Sequence, residues 1–230
     1  MIVMTFDLSS VCIGVTFAQI DDKNKKITYG DTLAIIPENP DPRDLGYTTK
    51  QPKQLESKGN KYTGFLKPGE ILIPRSEAEE RKRNLKNLKH NYLLRNIGAQ
   101  CGRYLDKIKP DIVAIEKNKS FNGILTTKLL AEIAGGIYFY CGARDIPLYD
   151  WDEATVRAKI RKDITDFSLS KDDSDKIAVD TKWEIYCRLR HYFATEHNSP
   201  FNFSKMTLDE SDSLAVFYYL YKKILSSKNM

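Results

Sequence analysis

The run IVMTFDLSSVCIGVTFAQIDDKNKKITYGDTLAII, residues 2–36, carries the pattern that decides the fold. Its segments 2–7, 11–20 and 27–36 are rich in β-branched and aromatic residues and are separated by short polar runs, which predicts three strands in an antiparallel meander. Asp7 ends the first strand just before the turn Leu8-Ser9-Ser10, so its carboxylate falls at a strand end beside the next strand. An Asx turn would by itself account for an aspartate there.

Further along, DIVAIE at 111–116 is a short continuous apolar run of the kind that forms a strand buried on both faces. Its last residue, Glu116, is again a carboxylate, costly to bury unless it is paired or bound to a cation. A second strand signal of this half, IPLYDW, spans 146–151. Helical periodicity appears over 76–109, 124–142, 153–162, 175–194 and 208–226, with a charged turn at Lys171 to Asp175. The Gly135-Gly136 pair inside the second helix lowers helix propensity and predicts close backbone packing. The order is therefore βββ-α-β-α-β-α plus an extra helix, and the chain is read as one domain, 1–230, with a Pro-, Gly- and Lys-rich insertion at about 37–74.

At the last helix, Thr207 and Glu210 form a capping-box pattern that sets Asp209 and Asp212 in the first turns, three residues apart and facing one way. Acidic residues favour helix starts in any case. One aspartate is explained by that; two of them, together with Asp7 and Glu116 at strand ends, suggest convergence. Four carboxylates drawn together raise one another's pKa unless cations neutralise them. Oxygen-only ligands suit Mg²⁺, with Mn²⁺ as a substitute, rather than zinc, and two such ions suit phosphodiester hydrolysis.

Composition limits the alternatives. With 230 residues, 41% hydrophobic and 29% charged, the chain is long and apolar enough for a sizeable core. A net charge of +5 is compatible with a phosphate-contacting protein without requiring one. Cys12, Cys101, Cys141 and Cys187 are widely spaced, form no C-x-x-C pair and read as buried reduced thiols. No signal-peptide or membrane-span pattern is evident, and a cytoplasmic location is expected.

Asp7 in TFDLSS, Glu116 in VAIE and DESDSLA at 209–215 together resemble the RuvC family of Holliday junction resolvases within the RNase H-like nucleases, particularly the bacteriophage-encoded versions. The resemblance covers roughly 1–36 and 76–225. It implies a mixed five-stranded sheet, three strands antiparallel and two parallel, flanked by helices. It also implies Asp7, Glu116, Asp209 and Asp212 as catalytic metal ligands, branched DNA (four-way junctions and forks) as the partner, and a homodimer. Three departures stand out: Leu-Ser-Ser follows the first aspartate in place of Pro-Gly, the 37–74 segment is long, and Ser168 to Asp175 lacks the glycine-containing basic loop of the bacterial enzymes.

Candidate DNA contacts follow from charge and from position. Arg81-Lys82-Arg83 is the densest basic cluster of the first helix, and Lys117 and Lys119 flank the proposed centre with Phe121 between polar groups. By its place in the family pattern Phe121 would stack on a splayed base. Arg157, Lys159 and Arg161 correspond to a helix start that in such proteins contacts the DNA backbone. Competing readings are a broader debranching nuclease, another RNase H-like nuclease, and a non-catalytic architectural protein binding branched DNA. An actin-like ATPase would need glycine-rich phosphate loops and a duplicated domain, which this chain lacks.

Overall fold

The computed structural model describes residues 1–9, 12–37, 53–54, 72–73, 75–117, 124–167, 169–180, 182–197 and 200–226. Two compact units are distinguished, Glu38–Asn96 and the rest of the chain. The smaller holds the two-residue parallel pair β4 (Lys53–Gln54) and β5 (Leu72–Ile73) and the first part of helix α1 (Arg75–Ile108). From Ile97 onward α1 belongs to the larger unit, where Ile97, Cys101 and Leu105 are buried.

The larger unit is built on one five-stranded sheet. Strands β1 (Ile2–Asp7), β2 (Ile13–Ile20) and β3 (Ile27–Ile35) form the antiparallel meander that their enrichment in β-branched and aromatic residues predicts. β6 (Ile112–Lys117) pairs in parallel with β1, and β7 (Leu148–Asp152) in parallel with β6. The order across the sheet is β3-β2-β1-β6-β7. Because β1 and β6 are central, they are buried through most of their length, which is why they read as continuous apolar runs rather than alternating ones.

Four helices follow the last strand or precede it: α2 (Ile124–Gly142), α3 (Glu153–Asp163), α5 (Lys182–Glu196) and α6 (Leu208–Ser226), with a short α4 (Lys171–Val179) between α3 and α5. The main core joins one face of the sheet, represented by Val3, Ala18 and Ala114, to α3, α5 and α6 through Ile160, Leu189, Phe193, Leu214, Phe217 and Tyr218. Helix α6 is buried continuously from Glu210 to Tyr221: its first turns are polar, and from Leu214 to Tyr221 it is apolar or aromatic on all sides, as a helix enclosed by other elements must be.

Two expectations change. The region 171–194 is not a charged turn followed by one helix. Ser170 caps α4, accepting from Asp173 N at 3.1 Å while the Asp173 carboxylate accepts from Ser170, and this makes Lys171–Val179 helical. Asp180 then leaves the helix in an extended conformation, and its carboxylate accepts from Lys182 N at 2.9 Å to begin α5. Gly135 and Gly136 do not mediate close packing inside the chain either: among the described residues nothing lies within 4 Å of where their Cβ atoms would be, and both are exposed. All four cysteines are free and buried, and no helix among the described residues is long and apolar enough to cross a membrane.

Candidate active site

The parallel pairing of β1 with β6 sets their carboxyl ends side by side, since Phe6 lies opposite Ile115. Asp7 and Glu116, the next residues on each strand, therefore end on the same sheet face, the face that α6 crosses. Helix α6 is pinned there by hydrogen bonds from buried hydroxyls. Thr5 Oγ1 donates to the Ser213 carbonyl at 2.8 Å, and Thr16 Oγ1 and Ser213 Oγ lie 2.7 Å apart. A contact closer still is made at Gly14: a Cβ there would stand 2.1 Å from the Asp209 carbonyl oxygen, so β2 can meet the start of α6 only with glycine. The predicted cap is present, with Thr207 N donating to Glu210 Oε2 at 2.5 Å and Glu210 N to Thr207 Oγ1 at 3.2 Å. These contacts fix Asp209 and Asp212 in the first turns of α6 above the ends of β1 and β6.

The electrostatics of Asp7, Glu116 and Asp212 reflect that juxtaposition. Asp7 is pushed up to about 7, first by burial and then by the nearby charge of Asp212. Glu116 is pushed up to about 9, again by burial first, with Asp7, Asp212 and Glu153 adding to it. Burial also raises Asp212, while Lys182 and Arg157 pull it the other way. Both oxygens of Asp212 have cationic partners: Arg157 at 3.2 Å on Oδ1 and Lys182 Nζ at 2.5 Å on Oδ2. Lys182 also lies 3.8 Å from Asp209, and Arg157 pairs with Glu153 at 2.7 Å. Burial draws the Lys182 ammonium toward neutrality, but Asp212, Asp7 and Asp209 outweigh it and hold the charge.

Glu153 and Lys182 are the members that sequence reading missed. Glu153 opens α3 directly after β7, where an acidic residue resembles an ordinary helix start. Lys182 was hidden inside what seemed one helix; the break at Asp180 makes it the first residue of α5 and brings it to Asp212.

The predicted DNA-contacting residues are distributed differently. Arg157 is turned inward onto Asp212 and Glu153. Lys159 pairs with Asp163 at 2.8 Å, and Arg161 with Glu184 at 3.0 Å. Lys117 is exposed, 3.8 Å from Asp150. Arg83 is exposed on α1; the side chains of Arg81 and Lys82, and the whole of Lys119 and Phe121, lie outside the described residues.

Among the described residues no group of three or more His, Cys, Asp or Glu side chains is disposed to hold a metal ion. The donor set nevertheless fits a hard divalent cation in chemistry: the groups are carboxylates, and they are crowded enough that burial and mutual repulsion lift two of them far above the usual range. In the present arrangement Lys182 and Arg157 supply the compensating charge at Asp212.

A sheet of three antiparallel strands followed by two parallel ones, flanked by helices, defines the RNase H-like fold. No protein-family model and no curated protein sequence matches the chain. Among solved structures it is similar to RuvC of Thermus thermophilus, at 11% identity and a TM-score of 0.50, over 99% of this chain and 98% of that one. It is also matched to T. thermophilus RuvC in complex with Holliday junction substrate, at 10% identity and a TM-score of 0.49 over 99% and 98% of the two chains. A third match is the yeast mitochondrial Holliday junction resolvase Ydc2, at 12% identity and a TM-score of 0.45 over 98% and 80%. At such identity the first of these likenesses supports a common RuvC-like fold and extends no further.

Proposed function

We propose that this chain is a divalent-metal-dependent endonuclease that cuts phosphodiesters in branched DNA, at Holliday junctions and at other branched forms. The observation that carries this reading is the set of carboxylates at the strand ends and the start of α6, with Asp7 and Asp212 buried, Glu116 half-buried and Asp209 beside them. A protein gains nothing in stability from burying so many like charges, and such perturbed groups cluster where chemistry is done. Asp7, Glu116, Asp209 and Asp212 would hold Mg²⁺ or Mn²⁺, as two ions. When bound, such ions activate water and stabilise the departing 3′ oxygen of a phosphodiester.

The chain's own cations then acquire a role. Lys182 and Arg157, released from Asp212 as the carboxylates are neutralised, would present ammonium and guanidinium groups to the phosphate being cut. Arg81, Lys82, Arg83, Lys117, Lys119, Lys159 and Arg161 are proposed contacts to the DNA backbone, and Phe121 a stacking group. The 37–74 segment is taken as an insertion within a single nuclease domain. Paired cuts at a two-fold-symmetric junction call for a homodimer. The outer face of α2 favours one, because Phe139 is 79% exposed there beside the open Gly135 and Gly136.

The test uses end-labelled four-way junction, fork and linear duplex DNA with Mg²⁺ or EDTA. Metal-dependent cutting of branched DNA that is lost in Asp7→Asn is the expected result, and the ratio of junction to fork cutting separates a resolvase from a general debranching nuclease. Tight binding with no cutting in Mg²⁺, or in Mn²⁺ in its place, would instead establish an architectural protein.

A further inference from the structure

The face of α6 that carries Asp212 does not end at the carboxylates. Steps of seven and eleven residues return a helical position to within about 20° of the same azimuth, so Tyr219 and Lys223 continue the line begun by Asp212. There the C-terminal half of α6 and the end of α3 border a groove of about 540 Å³, lined by Lys159, Asp163, Tyr219, Lys222 and Lys223 among others.

The lining of this groove holds three lysines and one aspartate. Both oxygens of Asp163 are engaged, Oδ1 by Lys159 at 2.8 Å and Oδ2 by the Tyr218 hydroxyl at 3.0 Å. Lys222 Nζ stands 4.5 Å over the Tyr192 ring, and Lys223 Nζ 5.5 Å over the Tyr219 ring. Ring contacts orient an ammonium without cancelling its charge. A helix C-terminus favours lysines through its dipole, but that preference requires neither a groove nor aromatic walls. Here the aromatic wall continues: Tyr219 meets Trp151 at 4.9 Å, and Trp151 stacks on the exposed Tyr149 at 5.6 Å along the edge strand β7.

We propose that this groove binds the phosphate backbone of one DNA arm, with Lys222 and Lys223 as its cationic contacts and Tyr219 as its floor. The proposal rests on the nuclease reading and adds to it the path the arm takes away from the cut. Eleven residues of helix separate Asp212 from Lys223, about 16 Å of rise. At 3.4 Å of duplex axis for each base pair, the phosphates in question lie about five base pairs from the incision.

The experiment measures binding of a four-way junction by full-length protein carrying Asp7→Asn, by fluorescence anisotropy across 50 to 200 mM salt. Adding Lys222→Gln and Lys223→Gln should remove two phosphate contacts, lowering the slope of log K against log salt by about 1.8 and reducing the loss of affinity across that range about twelvefold. Lys222→Arg with Lys223→Arg should keep the parental slope, as should Lys107→Gln on α1. A junction with neutral methylphosphonate linkages four to six base pairs from the incision should bind the parent as the unmodified junction binds the glutamine variant. A parental slope in the glutamine variant overturns the groove assignment alone. A parent that binds no branched DNA overturns this assignment and the nuclease reading together.

Discussion

Asp7→Asn should make the metal-free protein more stable, and the gain should depend on pH in a defined direction. Asp7 is buried and its carboxyl is raised from 3.8 to about 7. A carboxyl with a raised pKa in the folded state binds its proton more tightly there than in the unfolded chain. Its favourable contribution is therefore complete below about 3.8, declines as pH rises, and is gone above about 7. At about 1.4 kcal/mol for each tenfold change in proton affinity, the span from 3.8 to about 7 amounts to about 4 kcal/mol lost between acid and pH 8. Asparagine, close in shape and uncharged, carries no such term.

The assay is thermal unfolding in EDTA at several pH values from 4 upward. Near pH 4 the two proteins should unfold at similar temperatures. At pH 8 the variant should unfold about 8–16 °C higher, from the usual 2–4 °C per kcal/mol for a chain of this size. Saturating Mg²⁺ should narrow that gap, because an ion that binds only the native wild-type site stabilises it by mass action. Equal unfolding temperatures at pH 8, or a less stable variant, would refute the claim that Asp7 is ionised at a cost in a crowded site.

Three other substitutions test neighbouring parts of the site. Gly14→Ala should cost about 1–3 kcal/mol in urea unfolding, since the new methyl collides with backbone at Asp209 rather than with a side chain able to move. Lys182→Met should lower metal-free stability at pH 8 by about 1–2 kcal/mol, a figure already reduced for the lysine's partial exposure, and should tighten Mn²⁺ binding in titration calorimetry. Asp173→Asn should cost about 1.5–3 kcal/mol at neutral pH, because the carboxylate accepts from Arg190, Ser170 and Trp183. Arg190 foremost holds that carboxyl below its ordinary range, so its stabilisation is present above about 3.8 and lost as pH falls further, and the variant should show a shallower acid limb.

The fold was legible because its strands carry the two patterns that chemistry imposes on them. The first three are rich in β-branched and aromatic residues and are punctuated by short polar runs; β6 is a short apolar run that closes on a charge, and the order of elements then leaves few topologies. Asp7, Glu116, Asp209 and Asp212 were legible for a related reason: each is an acidic residue at an element boundary where the neighbouring apolar residues fix its direction. What fixes α6 was not legible. Thr5, Thr16 and Ser213 look like unremarkable strand and helix residues, and only the register that sets Thr5 opposite Thr16 discloses that their hydroxyls meet α6. The division of 171–196 into two helices was missed because its evidence is two local caps, Ser170 and Asp180, set inside a stretch whose composition suits a helix throughout.

The pins and the charges at this site are physically separate, and that separation has a consequence. Gly14, Thr5, Thr16 and Ser213 hold α6 against the sheet through a close backbone approach and neutral hydrogen bonds, none of which depends on the state of the carboxylates. Lys182 and Arg157, by contrast, are long side chains anchored on α5 and α3, able to swing away without moving either helix. On the proposed metal-dependent reading, a cation entering the site would have to displace only side chains. The frame that sets the spacing of Asp7, Glu116 and Asp212 would stay in place, so under the proposed reading the carboxylates would be preorganised by neutral contacts, and how firmly Lys182 competes for Asp212 would govern metal affinity.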